Sequence, residues 1–223
     1  MTFADKSIEL YFPTLVWRFE FAPEDRDAIN GAVVELFETL SDGDIDLKYG
    51  GALQTDTKLH LVPAMEPMVR RFDQAIREVL DTLEVIYERV RITGCWANVN
   101  AVHARHPEHV HPNNYLSGVY YVQADEGADT FTIDDPRPQR AMIRPRVRET
   151  NTANASRFTL KVKPGDLLLF PAWLPHSVDY NKSRRARISV SFNAMFEDFA
   201  RGMSPPDWDG QLSTESLRGK SED

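Results

Sequence analysis

Four of the chain's six histidines crowd into positions 103–111, in the stretch VHARHPEHVHPNN. A fifth, His176, follows 65 residues after His111, in FPAWLPHSV. Residues two apart on an extended strand face the same side, so His109 and His111 can reach a single ion. His176 joins them if its own strand folds back alongside. Imidazole suits iron, zinc, copper and nickel, and three ligands on one face leave the opposite positions open for dioxygen and a chelating molecule. The competing reading is a polar loop whose histidines face solvent. Four in nine residues, with a fifth after a later strand-like run, argue for the metal. His106 and Glu108 form an alternative His-x-Glu pair, ranked second because Pro107 between them disturbs strand pairing. His103 and His106 are otherwise read as bystanders, and His60, in KLHLVP, as structural.

The elements that must position these residues come in two blocks. SIELYFPTLVWRFEF is rich in aromatic and β-branched residues, and Pro13 divides it into two short strand candidates. Pro23 opens a helix with Ile29, Val33, Leu36, Phe37 and Leu40 on one face. After a loop holding Gly43, Gly50 and Gly51, a second helix runs from about Pro63 to Leu83 with its own apolar stripe, and core packing explains both stripes. From about Tyr87 the pattern becomes short strands: RVRITGCWANVNAV, YLSGVYYV, DTFTID, RFTLKV, DLLLF, HSVDY and ARISVSFNAM. Gly, Pro, Asn and Asp punctuate them, as in a sandwich or barrel. The expected fold is mainly β with flanking helices (α+β). Its core, over about 88–196, is a double-stranded β-helix, that is, a cupin-like jelly roll with the N-terminal helices packed outside the sheet. Residues 1–200 are read as one domain and 201–223 as a C-terminal arm or tail, with Trp208 as its docking residue.

Composition narrows the function. The formal net charge of −8 argues against nucleic acid as a partner. No apolar run approaches the ~20 residues of a membrane helix, and MTFADKSIELYF lacks the pattern of a secretory signal, so a cytoplasmic location is expected. The single cysteine, Cys95, excludes an internal disulfide framework and reads as a buried thiol. No nucleophile elbow or phosphate-cradling loop is present.

HVHPNNYLSGVYYV, IDDPRP, VKPGDLLLFPAWLPHSV and RISVSFN together resemble the 2-oxoglutarate and iron(II)-dependent oxygenases, in a prolyl-hydroxylase-like branch. The resemblance spans roughly residues 90–196. It implies iron(II) held by His109, His111 and His176, with 2-oxoglutarate as cosubstrate and dioxygen as oxidant. It also implies an arginine on the last core strand that clamps the far carboxylate of 2-oxoglutarate. Arg187 and Ser189 supply a guanidinium fork and a hydroxyl on one face of that strand, with Arg185, Asn98 and Tyr121 in reserve. Asn100 and Ser117 also have the spacing to face the site. The implied reaction decarboxylates 2-oxoglutarate to succinate and hydroxylates a small molecule or a peptide. Most such enzymes carry His-x-Asp; here the middle ligand is His111, which removes one negative charge from the site. Two alternatives stand beside this one: a non-catalytic cupin-like metal-binding or sensor protein, and a 2-oxoglutarate-independent three-histidine dioxygenase. A homodimer is compatible with the sequence. The arginine-rich segment 137–148 reads as a solvated loop in preference to a substrate-steering lid. Asn151–Ser156 reads as a mobile loop, and Phe170, Trp173 and Leu174 as pocket wall or core.

Overall fold

Pro23 starts the first helix, α1 (Pro23–Leu40), with Glu24 and Asp25 in its first turn, where carboxylates complement the helix dipole. Its buried face is Ile29, Val33, Leu36 and Phe37. The second helix, α2 (Glu66–Thr82), buries Met68, Phe72, Ala75, Ile76, Val79 and Leu80. A computed structural model gives this architecture and describes residues 4–40, 50–138, 142–143, 145–204 and 208–218. Gly43 of the loop after α1, and Arg140 and Arg144 of the arginine-rich segment, lie outside the described residues.

Ten strands follow in chain order: β1 (Trp17–Glu20), β2 (Ala52–Gln54), β3 (Val90–Asn100), β4 (His106–His109), β5 (Leu116–Gln123), β6 (Thr130–Asp134), β7 (Arg157–Lys161), β8 (Asp166–Pro171), β9 (His176–Val178) and β10 (Arg187–Phe196). They form a six-stranded sheet, β1-β8-β5-β10-β3-β2, and a four-stranded sheet, β4-β9-β6-β7. Every pairing within them is antiparallel. This is the double-stranded β-helix expected from the strand pattern.

Side chains alternate across the larger sheet. On β10, Val190, Phe192 and Ala194 join the core beneath the helices, while Arg187, Ser189, Ser191 and Asn193 line a cavity between the sheets. On β5, Leu116, Tyr120 and Val122 face the helices, and Val119 and Tyr121 face inward. A second cluster, including Val119, Phe131, Leu168, Phe170 and Leu174, fills part of the space between the sheets. Gly118 lies opposite Phe192 in the ladder. A Cβ there would sit 2.3 Å from the Phe192 ring, which in turn stacks on Phe72 with centroids 4.2 Å apart. Glycine is what lets that ring lie across the strand.

Three expectations need correction. The first strand candidate does not pair: residues 5–11 lie outside any strand, and Ile8, Leu10 and Phe12 are exposed. Alternation alone does not make a strand where no neighbour covers its apolar side. The short strand β2 was not anticipated, because three residues carry too little periodicity, and the strand expected at the histidine cluster, β4, ends at His109 instead of running on through His111. His111 lies beyond the end of β4, its backbone N–H donating to the carbonyl of Ala172 at 2.9 Å. It therefore meets His109 from just past the strand's end rather than along the strand.

The C-terminal residues return to the sheet. Leu212 pairs with Thr55, and Asp56 accepts bonds from the Thr214 N–H (2.8 Å), the Thr214 hydroxyl (2.9 Å) and Arg218 (2.5 Å). Trp208 meets Trp96 edge-on at 5.2 Å. Among the described residues no helix is long and apolar enough to cross a membrane.

Candidate metal centre

Residues on and beside two short strands meet at one end of the smaller sheet. His109 and His176 are direct partners in the β4–β9 ladder, with ring centroids 4.2 Å apart. His111 lies 4.9 Å from His109 and 5.1 Å from His176, centroid to centroid. Each of the three offers a ring nitrogen, and these atoms all lie within 4.8 Å of one another.

The rings are oriented by backbone. Nδ1 of His109 lies 2.9 Å from the carbonyl of Pro107, and Nδ1 of His176 lies 2.9 Å from that of Leu174. A carbonyl can only accept, so Nδ1 carries the proton in both rings and Nε2 presents its lone pair. Such outer hydrogen bonds are the usual way a metal-binding imidazole is held in one tautomer. Burial holds the rings neutral, the state that binds a cation. It pushes His111 down to about 3, with further lowering from His176, His109 and His106. Burial, then the charge of His109, takes His176 to about 3, against the Leu174 carbonyl. His109 is also lowered, chiefly by burial. Three neutral imidazoles with free nitrogens on one side are a donor set that fits iron(II), and equally other borderline divalent ions.

The triad forms one wall of a cavity of about 1090 Å³. Across it lies Arg187, 5% exposed, with its Nη2 donating to Asn100 Oδ1 at 3.4 Å. Among the described residues its Nε and Nη1 have no partner, and neither has the buried hydroxyl of Tyr121. Ser189 is buried beside them and faces Asn98 and Tyr121 across the ladders. Burial lowers the pKa of Arg187, opposed by Tyr121, and raises that of Tyr121, opposed by Arg187. An unpaired guanidinium out of water costs several kcal/mol, a cost that an incoming carboxylate would offset with bidentate bonds.

The other named residues divide. Asn98, Asn100 and Tyr121 line the cavity. Ser117 faces inward but donates to Asn193 at 2.7 Å. Arg185, held in reserve for the clamp, is turned to the surface, where it pairs with Asp125 at 2.6 Å; it lies before β10 begins and does not follow that strand's alternation. The alternative ligand pair separates as well. Glu108 points toward Arg157 (3.6 Å) and away from the cavity, whereas His106 lines it. His60, read as structural, lines the same cavity. Its place in a short 3-10 turn, far along the chain from the triad, hid this. Trp96 and Trp208 also line it; Trp208 was read only as the docking residue of the C-terminal arm. Phe170 contributes to the wall, Trp173 is largely exposed and Leu174 is core. Arg137 pairs with Asp135 at 2.7 Å, and none of the described arginines of the 137–148 segment lines the cavity.

Comparison with known proteins bears on the whole arrangement. The profile of the family described as "Putative 2OG-Fe(II) oxygenase" matches residues 94–193, which include all three histidines, Arg187 and Ser189. No curated protein sequence matches the chain. A Trichoplax adhaerens prolyl hydroxylase, solved with a hypoxia-inducible-factor peptide, is similar in structure at a TM-score of 0.58 and 11% identity, over 85% of this chain and 87% of that one. A Pseudomonas putida prolyl-4-hydroxylase gives 0.58 at 14% identity, over 82% and 94%. HygX from Streptomyces hygroscopicus, solved with nickel and 2-oxoglutarate, gives 0.58 at 12%, over 82% and 83%. At such identities the structural likeness speaks for the double-stranded β-helix, and the profile match for the chemistry that the fold carries. Over residues 94–193 the chain therefore matches the domain of the iron(II)- and 2-oxoglutarate-dependent oxygenases.

Proposed function

We propose that this enzyme holds iron(II) on His109, His111 and His176 and grips the far carboxylate of 2-oxoglutarate with Arg187, Ser189 and Tyr121, to hydroxylate a small molecule or peptide. When bound, iron(II) supplies the dioxygen chemistry that couples decarboxylation of 2-oxoglutarate to oxidation of the substrate. The chain's own residues bind, orient and exclude water. Pro107 and Leu174 carbonyls aim two of the histidines. Phe131 and Phe170 pack on His176, at 5.4 and 4.7 Å, and shield that side of the triad.

One observation carries the reading: among the described residues, Arg187 is buried with two of its nitrogens unpartnered, beside an unpartnered Tyr121 hydroxyl, on the wall of the cavity that also holds the triad. A non-catalytic metal protein has no use for a buried, unpaired cation there, and neither has a dioxygenase that works without an organic acid.

Calorimetry with nickel-loaded protein tests it, since nickel permits binding without turnover. Wild type should bind 2-oxoglutarate and N-oxalylglycine, and Arg187→Ala should bind them about a hundredfold more weakly while keeping its metal. With iron(II) and oxygen, succinate should form. Undiminished binding by Arg187→Ala would remove the clamp, and absence of both binding and succinate would leave the cupin-like metal protein or the 2-oxoglutarate-independent dioxygenase in its place.

A further inference from the structure

His106 is three residues before His109, and on a regular strand that spacing would put the two rings on opposite faces. The β4–β9 ladder is not regular. His106 pairs with Val178 and His109 with His176, so three steps along β4 match two along β9. One extra residue is accommodated, as in a β-bulge, a device that re-aims side chains beside functional sites. Pro107 occupies the irregular stretch, where its missing N–H costs no ladder bond. The bulge aims His106 at the open side of the cavity: the residue is exposed, yet it lines the cavity, and its ring stands edge-on to His109 with centroids 4.4 Å apart. Glu108, the next residue but one, goes outward to Arg157.

His106 is nevertheless no member of the triad, whose nitrogens are mutually within 4.8 Å without it. Among the described residues no hydrogen bond is formed by its ring. It stands beside the triad on one side and within the field of Arg187 on the other. A dicarboxylate held at one end by Arg187 and at the other by a metal on the triad would lie in the cavity that this ring also lines.

We infer that His106 is a cosubstrate-binding residue, placed by the Pro107 bulge so that an imidazole N–H donates to a carboxylate oxygen of the 2-oxo acid bound between Arg187 and the triad. The inference rests on the function proposed above. It also accounts for a fourth histidine whose ring lines the cavity yet takes no part in the metal set.

The test uses full-length, nickel-loaded protein and titrates 2-oxoglutarate calorimetrically into wild type, His106→Leu and His106→Gln, with bound metal measured in each. The expected result is one nickel per chain throughout, affinity about tenfold weaker in His106→Leu, and recovery of most of the loss in His106→Gln, which restores an N–H donor. Circular dichroism confirms that each variant is folded, and His106→Ala takes the place of His106→Leu if the latter is not. Equal affinity in all three proteins overturns the inference while leaving the function intact. Loss of nickel from folded His106→Leu also overturns it, by making His106 a ligand. If wild type itself binds no 2-oxoglutarate, the proposed function fails first.

Discussion

The buried histidines set a pH dependence that belongs to single residues. His176 is 4% exposed and is pushed down to about 3 by burial, then by His109, whereas an unfolded chain protonates near the ordinary histidine value of about 6.5. The folded pKa is the lower one, so the unfolded state takes up protons first as pH falls. This contribution to stability is complete above about pH 6.5 and is lost progressively toward about pH 3. His111 shares the window, and His60, lowered to about 4 mainly by burial, shares its upper part. Urea denaturation of chelator-treated protein should therefore show a midpoint that declines steadily from pH 6.5 to pH 4; a flat profile would contradict the burial assigned to these rings. At this scale the sequence was informative where residues cluster along the chain. The spacing of His109 and His111, and of Arg187 and Ser189, picked out residues that the structure brings to one cavity. The aim of His106 at the cavity was not legible, because it depends on one extra residue in a ladder whose partner strand lies some 70 residues away. Arg185 was misplaced for the opposite reason: strand alternation was extended past the point where β10 begins.

Among the elements, β5 and β10 do most to hold the site, because their inward residues line it while their outward residues anchor it to the helices. Gly118 is where the two strands and α2 come together through the Phe192 ring. Gly118→Ala should cost about 1–3 kcal/mol through overpacking, with a melting temperature lower by roughly 2–4 °C for each kcal/mol in a chain of this size. Differential scanning calorimetry checks this, and an unchanged transition would mean that Phe192 has another place to go. The long strands were legible from their β-branched and aromatic runs, and both helices from their apolar stripes. The isolated run at Ile8, Leu10 and Phe12 looked equally strand-like and pairs with nothing, since a strand is defined by its neighbour as much as by its own residues. The docking of the C-terminal arm is fixed by Asp56 and Thr214, about 160 residues apart, and local pattern does not predict such a contact.

For the molecule as a whole, the triad lies on and beside the smaller sheet while most of the core packs the larger sheet against the helices. A divalent ion that binds only the folded chain adds stability by mass action, about 4 kcal/mol when present at a thousandfold excess over its dissociation constant. Thermal melts with nickel should then rise by roughly 10 °C. His176→Ala should abolish the rise, and a variant that still gained the full increment would place the metal elsewhere. The fold class was legible at this scale because two helices before many short punctuated strands leave few architectures. The cavity was not, because its walls come from segments scattered from Gln54 to Gln211.

The strand that carries two of the cavity-lining histidines is brief and has only one neighbour. β4 is four residues long, forms one edge of its sheet and has two positions in register with β9. Little of the fold leans on it. The chain can therefore reach its architecture before any ion arrives and can surrender that ion without coming apart, in contrast to small zinc domains that collapse when stripped. At the centre proposed above, loading, loss and reloading would then be local events beside a barrel that is already built, and an enzyme emptied by oxidation of its iron would return to service by resupply alone.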